Sequence, residues 1–493
     1  MGTGRIEPGL LGGRRSRVAA SIATAVVVLG ALGAGRAAAA PLKEFKLPAG
    51  TTVTSLIDGP DGRLWFGERT STGAAEIGRM TPAGKISQIT KGFLPGAQIH
   101  ALVLGAKGTV WFSDTGSTKA LGRVSASGKV AETKAGQGGL DPGAVPYDLA
   151  TAPNGTVWFE DLGTPPGVGA ISPSRKIREY PDTSGMPLAP RDLTVDANGN
   201  AWYTRQGGTG IGQAKLGAPT GTPVSLFSTG TTMANGITAG ADGNLWYTGN
   251  GMPVIGRLTP GGTDTAFGVA NGLQPGAEPD AITPGPGGDT WFDDQRSGDD
   301  AVGKATPSGH ITEFPLSGTP WDLTEGIDRN VWLPQGDPNG IDRVTRSGAV
   351  SLFTKGLKPG AKIEDGTNVV SGPDGNLWFL DEGPPTAIVR AAVQLPPRAA
   401  TGRARNITSS SARVTGTANP RGAVTKVTIR YGKAPSLRST ASAGSLAPAN
   451  ARSPISAKLT GLRPGTVVYY RVRATNAYGT VIGKRRKFRA ARG

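Results

Sequence analysis

The sequence alternates short apolar runs with polar, glycine-rich turns in one phrase that recurs eight times. Each phrase contains a Trp followed by Phe, Tyr or Leu, as in GPDGRLWFGE, GAKGTVWFSD and GPDGNLWFLD. An Asp-Gly or Asn-Gly pair before most of the tryptophans is typical of a tight hairpin. The tryptophans lie 41 to 47 residues apart, at Trp65, Trp111, Trp158, Trp202, Trp246, Trp291, Trp332 and Trp378.

Each period holds four short strands. A strand such as DLATA precedes the Trp phrase, a strand such as IGRM follows it, and a glycine turn leads into a fourth strand such as ITEFP. Four strands in a period of about 45 residues indicate a propeller blade. The pattern therefore predicts an all-β protein, an eight-bladed β-propeller of four-stranded blades, with seven blades as the alternative if one repeat is irregular. The repeated Trp would be a core residue between blades.

The two ends of the repeat region complement each other. The last unit ends after AIVR at Ala387–Arg390 without a fourth strand, while EFKLP at Glu44–Pro48 resembles the fourth strand ITEFPL at Ile311–Leu316. We therefore expect the N-terminal strand to complete the last blade, which would remove two exposed sheet edges.

Composition excludes several kinds of site. The chain has 493 residues, with 77 Gly and 39 Pro that recur at the turns, so we interpret it as folded rather than disordered. It has no Cys, which excludes disulfides, thiolate metal sites and a cysteine nucleophile. Its two histidines, His100 and His310, exclude a multi-histidine zinc site. His310 falls in an outer turn, where we expect a surface residue.

Charge divides the chain into three parts. Residues 41–397 contain 28 Lys and Arg against 35 Asp and Glu, whereas residues 398–493 contain 20 Lys and Arg and no acid. In residues 1–40, three arginines precede an apolar run that leads to Ala38-Ala39-Ala40, which is typical of a secretory signal peptide, an uncleaved anchor being the alternative. We predict a signal peptide over 1–40, the propeller over 41–395 and a basic β-sandwich over 396–493, in a secreted or cell-envelope protein.

The C-terminal segment resembles a fibronectin type III domain. The resemblance is carried by Leu462, Pro464, Tyr470, Val472, Ala474, Asn476 and Gly479. Its positive charges predict attraction to an anionic cell-wall polymer or a membrane surface. The alternative is a generically basic, soluble surface. We expect no nucleic acid partner, because no nucleic-acid-binding motif accompanies the charge.

The Trp repeats resemble the propellers of the streptogramin lyase (virginiamycin B lyase) family. The matching text is GPDGNLWF at Gly372–Phe379, IGRLTP at Ile255–Pro260 and ITEFPL at Ile311–Leu316. The resemblance implies an elimination that breaks the ester linkage of a cyclic depsipeptide without adding water and leaves a double bond. It also implies a magnesium ion that polarises the ester region, a histidine that acts in proton transfer, and usually seven blades.

The resemblance also implies particular site residues. His100, in QIHAL, occupies the family's histidine position and Asp114 its acid position three residues after a Trp, so both are predicted catalytic residues. Glu278 and Asp280, in a Glu-Pro-Asp-Ala-Ile phrase, and Asp294, three residues after Trp291, occupy the corresponding positions of another repeat and are predicted metal ligands.

Eightfold geometry would bring one position of every repeat to a central mouth. The residue 10 or 11 before each Trp is polar in every repeat: Thr54, His100, Asp148, Asp192, Asn235, Asp280, Asp322 and Asn368. Clustered carboxylates repel one another unless a cation neutralises them, so we predict a Mg²⁺ or Ca²⁺ site that includes Asp322. We predict ligand contacts from Tyr147, Arg191, Trp321, Asp148 and Asp192. The alternative is that each Asp only accepts backbone N–H bonds where a strand begins.

Three functions follow from this pattern. The first is a secreted, streptogramin lyase-like propeller that opens a cyclic ester or depsipeptide with a divalent ion, His100 and Asp114. The second is a non-catalytic propeller that holds a glycan or peptide at the mouth, while the basic tail tethers it to the cell envelope. The third is a lactone hydrolase. In each case we expect a small-molecule or cyclic peptide ligand and a monomeric protein.

Overall fold

The computed structural model describes residues 42–230, 232–296, 298–364, 368–393, 395–433 and 437–493. The predicted signal peptide over 1–40 lies outside these residues. Within them, the chain is built almost entirely of β-strands, with three single-turn 3-10 helices at Ala106–Gly108, Val269–Asn271 and Pro286–Gly288. No helix in this part of the chain is long and apolar enough to cross a membrane.

The first 32 strands of the described chain form eight four-stranded antiparallel sheets. β1 belongs to the eighth sheet, and each of the other sheets uses four consecutive strands. In chain order the strands are β1 (Leu42–Lys46); β2 (Thr52–Asp58), β3 (Leu64–Arg69), β4 (Ala75–Met80), β5 (Ile86–Ile89); β6 (Ile99–Leu104), β7 (Val110–Asp114), β8 (Ala120–Val124), β9 (Val130–Lys134); β10 (Pro146–Thr151), β11 (Val157–Asp161), β12 (Gly167–Ile171), β13 (Ile177–Pro181); β14 (Pro190–Val195), β15 (Ala201–Arg205), β16 (Ile211–Ala214), β17 (Ser225–Phe227); β18 (Ala234–Ala239), β19 (Leu245–Gly249), β20 (Ile255–Leu258), β21 (Asp264–Phe267); β22 (Pro279–Pro284), β23 (Thr290–Asp294), β24 (Ala301–Ala305), β25 (Ile311–Pro315); β26 (Thr324–Glu325), β27 (Val331–Gln335), β28 (Gly340–Val344), β29 (Val350–Phe353); β30 (Val370–Ser371), β31 (Leu377–Asp381) and β32 (Ala387–Ala391).

The eight sheets form a closed ring, as the blades of a propeller do. The first strand of each sheet contacts the first strand of the next, and β30 of the eighth sheet contacts β2 of the first. The predicted closure by the N-terminal strand is confirmed, because β1 pairs with β32 from Leu42 opposite Ala391 to Lys46 opposite Ala387. This pairing gives the eighth sheet its outer strand, so the edge of β32 is hydrogen-bonded rather than exposed.

The repeated tryptophans lie in the core between neighbouring sheets. Trp65 of the first sheet packs with Ile99 and Phe112 of the second. Trp378 of the eighth sheet packs with Phe66 of the first, which fills the closing seam of the ring with apolar contacts. Each indole buries on the order of 200 Å², so these residues contribute much of the apolar area that holds adjacent blades together.

The Asp of the turn before a Trp has a second role beyond the hairpin. In five of the described sheets, the indole N–H donates to an Asp four or six residues earlier, for example Trp378 Nε1 to Asp374 Oδ1 at 2.9 Å. An unpaired N–H in this core would cost about 1–3 kcal/mol. The Asp-Gly-x-x-Trp text therefore fixes both a turn and the hydrogen bond of a buried ring.

The third-strand glycines lie beneath aromatic rings of the second strand. A Cβ at any of six glycines would fall 1.9 to 2.2 Å from a ring atom of the residue paired with it. The pairs are Phe66–Gly78, Phe112–Gly122, Phe159–Gly169, Tyr203–Gly212, Tyr247–Gly256 and Phe292–Gly303. The seventh sheet differs, because Leu333 replaces the aromatic residue and Asp342 replaces the glycine. The recurrent Gly therefore makes room for a ring rather than forming a turn.

The last eight strands form two further sheets. Strands β33, β34 and β37 form one sheet, and β36, β35, β38 and β39 form the other, with β40 also paired to β38. Their bounds are β33 (Arg398–Arg405), β34 (Ala412–Asn419), β35 (Thr425–Gly432), β36 (Ser439–Leu446), β37 (Ser453–Leu459), β38 (Val467–Asn476), β39 (Gly479–Ile482) and β40 (Arg486–Arg489). Val414 and Leu459 of the first sheet pack against Val427 and Val472 of the second, so the two sheets form a sandwich. Its assignment to the fibronectin type III class stays a prediction.

The sandwich is hydrogen-bonded to the turn before the eighth Trp. Asn376 in that turn donates from Nδ2 to the carbonyl oxygen of Gly422 at 3.1 Å, and its Oδ1 accepts from Val393 N at 2.9 Å. Because Asn376 is buried, both bonds are shielded from water, and the bond to Gly422 joins the last blade to the sandwich.

Candidate functional site

The first strand of each sheet brings predicted mouth positions to the ring axis. Asp148 lies on β10, Asp192 on β14 and Asp280 on β22, while Asp322 lies two residues before β26 begins. Burial, and then the charges of Asp148 and Asp322, raise the pKa of Asp192, so carboxyl groups from three sheets are close enough to interact. Three of the positions that the sequence assigns to one mouth, Asp148, Asp192 and Asp322, are therefore near one another.

The mouth residues sit at irregularities in strand pairing. The register shifts between Ile99 and Leu102 in β6, between Pro146 and Leu149 in β10, and at the corresponding points of β2, β14, β18 and β22. His100, Tyr147 and Asp148 lie inside these shifts. A β-bulge leaves a residue unpaired and re-aims its side chain, which explains how polar residues face the axis instead of the neighbouring sheet.

His100 and Asp148 form a contact between neighbouring sheets. His100 Nε2 lies 3.3 Å from Asp148 Oδ1, and the two side chains are 31% and 49% exposed. The imidazole stacks on the ring of Tyr147, with ring centroids 3.7 Å apart and planes 26° apart. Burial, and then the carboxylates of Asp148 and Glu160, raise the pKa of the Tyr147 hydroxyl, so it stays protonated. A carboxylate at one imidazole nitrogen orients the ring and leaves the other nitrogen for proton transfer.

An acid-lined cavity lies at the four sheets that follow, and His100, Tyr147 and Asp148 are not among its lining residues. Its volume is about 340 Å³, and its lining includes Arg191, Asp192, Asn235, Asp280 and Asp322. Five predicted positions from four sheets thus line one cavity. Arg191 is exposed and supplies the positive charge of the lining.

The carboxylates of Asp192 and Asp322 hold neighbouring strands. Asp192 accepts from Ile237 N at 2.7 Å, and Asp322 accepts from Val369 N at 3.1 Å. Burial raises the pKa of both carboxyl groups to about 6, and these backbone bonds limit the rise. The alternative that such Asp residues accept backbone N–H bonds therefore describes both, even though they also line the cavity.

Two buried acids near the axis were missed by the sequence reasoning. Glu160 and Asp293 stand two residues after a Trp and are 1% and 0% exposed. Burial, followed by Asp148 and Asp192, raises the pKa of Glu160 well above its ordinary value, and burial followed by Asp280 does the same for Asp293. Alternation along a strand could have found them, because every second residue faces the same side.

These second-strand side chains satisfy the bulges of the first strands. Asp293 accepts from Ala281 N at 2.6 Å and Asp280 N at 3.2 Å, and Thr248 Oγ1 accepts from Gly236 N at 2.9 Å. Asp280 in turn accepts from the side-chain amides of Asn235 and Gln295. Side chains of the second strands therefore hold the backbone of the mouth residues in place.

The predicted acids three residues after Trp have a different setting. Asp114 Oδ1 accepts from Gln98 N at 2.7 Å and Gly116 N at 2.8 Å, so it fastens the segment that leads into β6. Asp294 accepts from Glu278 N at 2.7 Å and pairs with Arg296 at 2.7 Å. Both Asp side chains are buried, and burial raises the pKa of each. In the described chain no hydrogen bond joins Asp114 to His100. Asp114 instead binds the backbone of Gln98, in the segment that leads into the strand of His100.

Two further predicted residues lie apart from the cavity lining. Trp321 packs against the core that contains Trp332 and Ile363, and its Nε1 has no hydrogen-bond partner within the described residues. Glu278 lies in the connector to β22, where its carbonyl oxygen accepts from Gln295 N at 3.2 Å.

The residues do not form a ready metal centre. Among the described residues, no group of three or more His, Asp or Glu side chains is arranged to hold a metal ion. Asp294 is bound to backbone and to Arg296, Asp322 to two backbone N–H groups and Asp280 to side-chain amides. The donor set Glu278, Asp280, Asp294 and Asp322 therefore does not fit a preformed Mg²⁺ or Ca²⁺ cage. The metal stays a prediction.

The closed ring of four-stranded sheets defines a β-propeller, and polar residues of its first strands line a cavity. The model of the virginiamycin B lyase family matches residues 33–226 and 222–433, which is most of the chain. The chain therefore belongs to the virginiamycin B lyase family.

Solved structures of that kind are similar to the chain. A catalytically inactive histidine-to-alanine variant of virginiamycin B lyase from Staphylococcus aureus, with quinupristin, shares 25% identity over 63% of this chain and 99% of that one, at a TM-score of 0.47. A streptogramin B lyase structure shares 25% identity over 63% and 97%, also at 0.47. The selenomethionine-substituted enzyme from Staphylococcus aureus shares 26% identity over 63% and 99%, at 0.48. The comparison with curated proteins finds no match.

Proposed function

We propose that this protein opens a cyclic ester or depsipeptide by elimination at the axial mouth. The observation that carries the proposal is the contact of His100 with Asp148, stacked on Tyr147 at the ring axis. Membership of the virginiamycin B lyase family supports the reaction class. A histidine is suited to this step because its ordinary pKa lies near neutral pH.

The proposed step needs only a base and a leaving carboxylate. His100 takes a proton from the carbon next to the one that carries the ester oxygen. The electron pair of that C–H bond forms the double bond, the C–O bond breaks, and its pair leaves with the carboxylate. No water is consumed, so the product has the mass of the substrate.

The surrounding residues would support the charges of this step. Asp148 orients the imidazole and stabilises it once it is protonated. Arg191, at the cavity, would pair with the departing carboxylate. A ring of ionised acids would repel that carboxylate, but burial raises the pKa of Glu160 and Asp293 well above their ordinary values, which favours the uncharged form of these two groups. Asp114 would act as a positioning residue by holding the connector in front of His100.

The test is incubation of the purified protein with a cyclic depsipeptide, followed by mass spectrometry. Elimination gives an opened ring of unchanged mass, and His100→Ala should lower its rate about 10²- to 10⁴-fold. His310→Ala is the matched control, because His310 is exposed in the turn between β24 and β25. A full rate in His100→Ala would remove His100 from the mechanism.

A second candidate is binding without catalysis. The acid-lined cavity of about 340 Å³ favours it, because its polar lining could hold a peptide or glycan by hydrogen bonds alone. Saturable binding of the depsipeptide with no change in its mass would support this candidate. Gain of one water would instead indicate the third candidate, a lactone hydrolase.

We also propose that the protein acts outside the cytoplasm as a monomer. The proposal rests on the export signal expected at 1–40 and on the basic segment 398–493, which would be attracted to an anionic cell-wall polymer or membrane. The N-terminal sequence of protein recovered from the medium or envelope tests it. A chain found only in the cytoplasm with Met1 retained would contradict it.

A further inference from the structure

A second cavity lies in the C-terminal sandwich, away from the axial mouth. Its volume is about 440 Å³, and three arginines line it: Arg398, Arg421 and Arg452. Arg398 begins β33, Arg421 follows β34 and Arg452 precedes β37, so one end of the three-stranded sheet gathers all three. The lining contains no acid, and residues 398–493 contain none at all.

The positive charge of this cavity is not neutralised by the protein. Within the described residues, none of the three guanidinium groups forms an ion pair or a hydrogen bond. Burial, and then the charge of Arg398, lower the pKa of Arg421. Asp328 acts on Arg421 in the opposite direction, but its oxygens already accept from Trp332 Nε1 at 3.0 Å and Asn330 Nδ2 at 2.7 Å.

Arg421 is held in place by its own turn. Its backbone lies in the left-handed region, with φ of 50°, and its N–H donates to Asn419 Oδ1 at 2.9 Å. This turn holds the backbone of Arg421 at the cavity, although the positive charge of Arg398 lies nearby.

We propose that the cavity lined by Arg398, Arg421 and Arg452 binds a phosphate group of an anionic polymer. Guanidinium groups match the geometry of phosphate oxygens and bind them by paired, charge-assisted hydrogen bonds. A cavity of this volume also has room for the sugar or polyol that carries the phosphate. Because the site is concave, it suits a polymer unit that can enter it better than a flat bilayer. The inference rests on the proposed attraction of this segment to an anionic surface and is independent of elimination at the mouth.

The experiment is calorimetric titration of the full chain with glycerol 3-phosphate near physiological ionic strength, where charges more than about 8 Å apart are screened. We expect saturable one-to-one binding that weakens about tenfold or more in Arg398→Gln and in Arg421→Gln. Arg403→Gln is the matched control, because Arg403 is exposed on β33 and does not line the cavity. Arg452→Gln, outside any strand, is a second test that leaves the sheet intact.

A second arm separates the two sources of phosphate. Sedimentation with phosphatidylcholine vesicles, with and without phosphatidylglycerol, measures attraction to a lipid surface. Loss of glycerol 3-phosphate binding in the cavity variants alone supports the site. Equal weakening in Arg403→Gln, absence of saturable binding, or capture by phosphatidylglycerol vesicles without glycerol 3-phosphate binding would overturn it. The depsipeptide reaction should be unchanged in Arg398→Gln, so failure of one proposal leaves the other standing.

Discussion

Asp342 is a buried carboxyl group in the seventh sheet, and its replacement by Asn measures how much the charge of this carboxylate destabilises the propeller. The residue is 0% exposed, and neither of its carboxylate oxygens has a hydrogen-bond partner in the part of the chain that the structure describes. It faces Leu333, at the position where six other sheets place Gly beneath a ring. Burial raises the pKa of Asp342 from 3.8 to about 7.

The direction of the effect follows from proton uptake on folding. Because the pKa of Asp342 is higher in the folded chain, the folded state binds more protons between about pH 4 and pH 7, and stability falls as the pH rises through that range. The difference between 3.8 and about 7 corresponds to a loss of about 4 kcal/mol at pH 8 but only about 2 kcal/mol at pH 5. Asn has the shape of Asp and no charge, so Asp342→Asn removes this pH-dependent loss.

The assay is guanidinium unfolding, followed by tryptophan fluorescence, of both proteins at pH 5 and pH 8. Relative to the natural chain, Asp342→Asn should be more stabilising at pH 8 than at pH 5 by about 2 to 3 kcal/mol. That difference does not depend on how well the buried amide is hydrogen-bonded, because the amide does not titrate. Asp299→Asn, on an exposed carboxyl, should show no such difference. An equal effect of Asp342→Asn at both pH values would show that the Asp342 carboxyl group does not titrate between pH 5 and pH 8 in the folded protein.

The remaining predictions concern the mouth and the packing of the blades. Asp148→Asn should lower the elimination rate about 10- to 100-fold in steady-state kinetics, because the imidazole of His100 loses its orienting carboxylate; an unchanged rate would separate the contact from catalysis. Gly303→Ala should cost about 1–3 kcal/mol of unfolding free energy, because its Cβ would fall 2.0 Å from the ring of Phe292, whereas Gly185→Ala meets nothing within 4 Å and should be near neutral. Treatment with a chelator tests the predicted metal: the depsipeptide rate should fall and recover with Mg²⁺ if the ion takes part, and an unchanged rate would contradict the metal and agree with mouth carboxylates that stay bound to protein groups.

The sequence was most informative about the site where a polar residue recurs at a fixed distance from the repeated Trp. Of the positions 10 or 11 before each Trp, Asp192, Asp280 and Asp322 line one cavity in the structure, and His100 contacts Asp148. It could do so because each period is one blade, so equal positions in the sequence become equal positions around an axis.

Only the structure shows which of the two acidic positions after Trp lies beside the mouth. The position three residues after Trp, which includes Asp114, turned out to hold the connectors. The position two residues after Trp carries Glu160 and Asp293, whose pKa values are raised by burial beside the mouth. Adjacent residues of a strand face opposite sides, so the position two after Trp faces the mouth and the position three after Trp faces the connector.

The repeat, the closing strand and the polar character of the mouth could be predicted from the sequence, because they depend on local strand patterns and on a visible period. Three-dimensional contacts were needed to show which acids lie close together, which accept backbone N–H groups and which, like Asp342 within the described residues, have no hydrogen-bond partner. Those outcomes depend on contacts between different sheets and on bulges that turn single side chains toward the axis, and neither is encoded in the spacing alone. The same holds for the arginines at the end of the three-stranded sheet, which lie far apart along the chain and meet only because β33, β34 and β37 are neighbours.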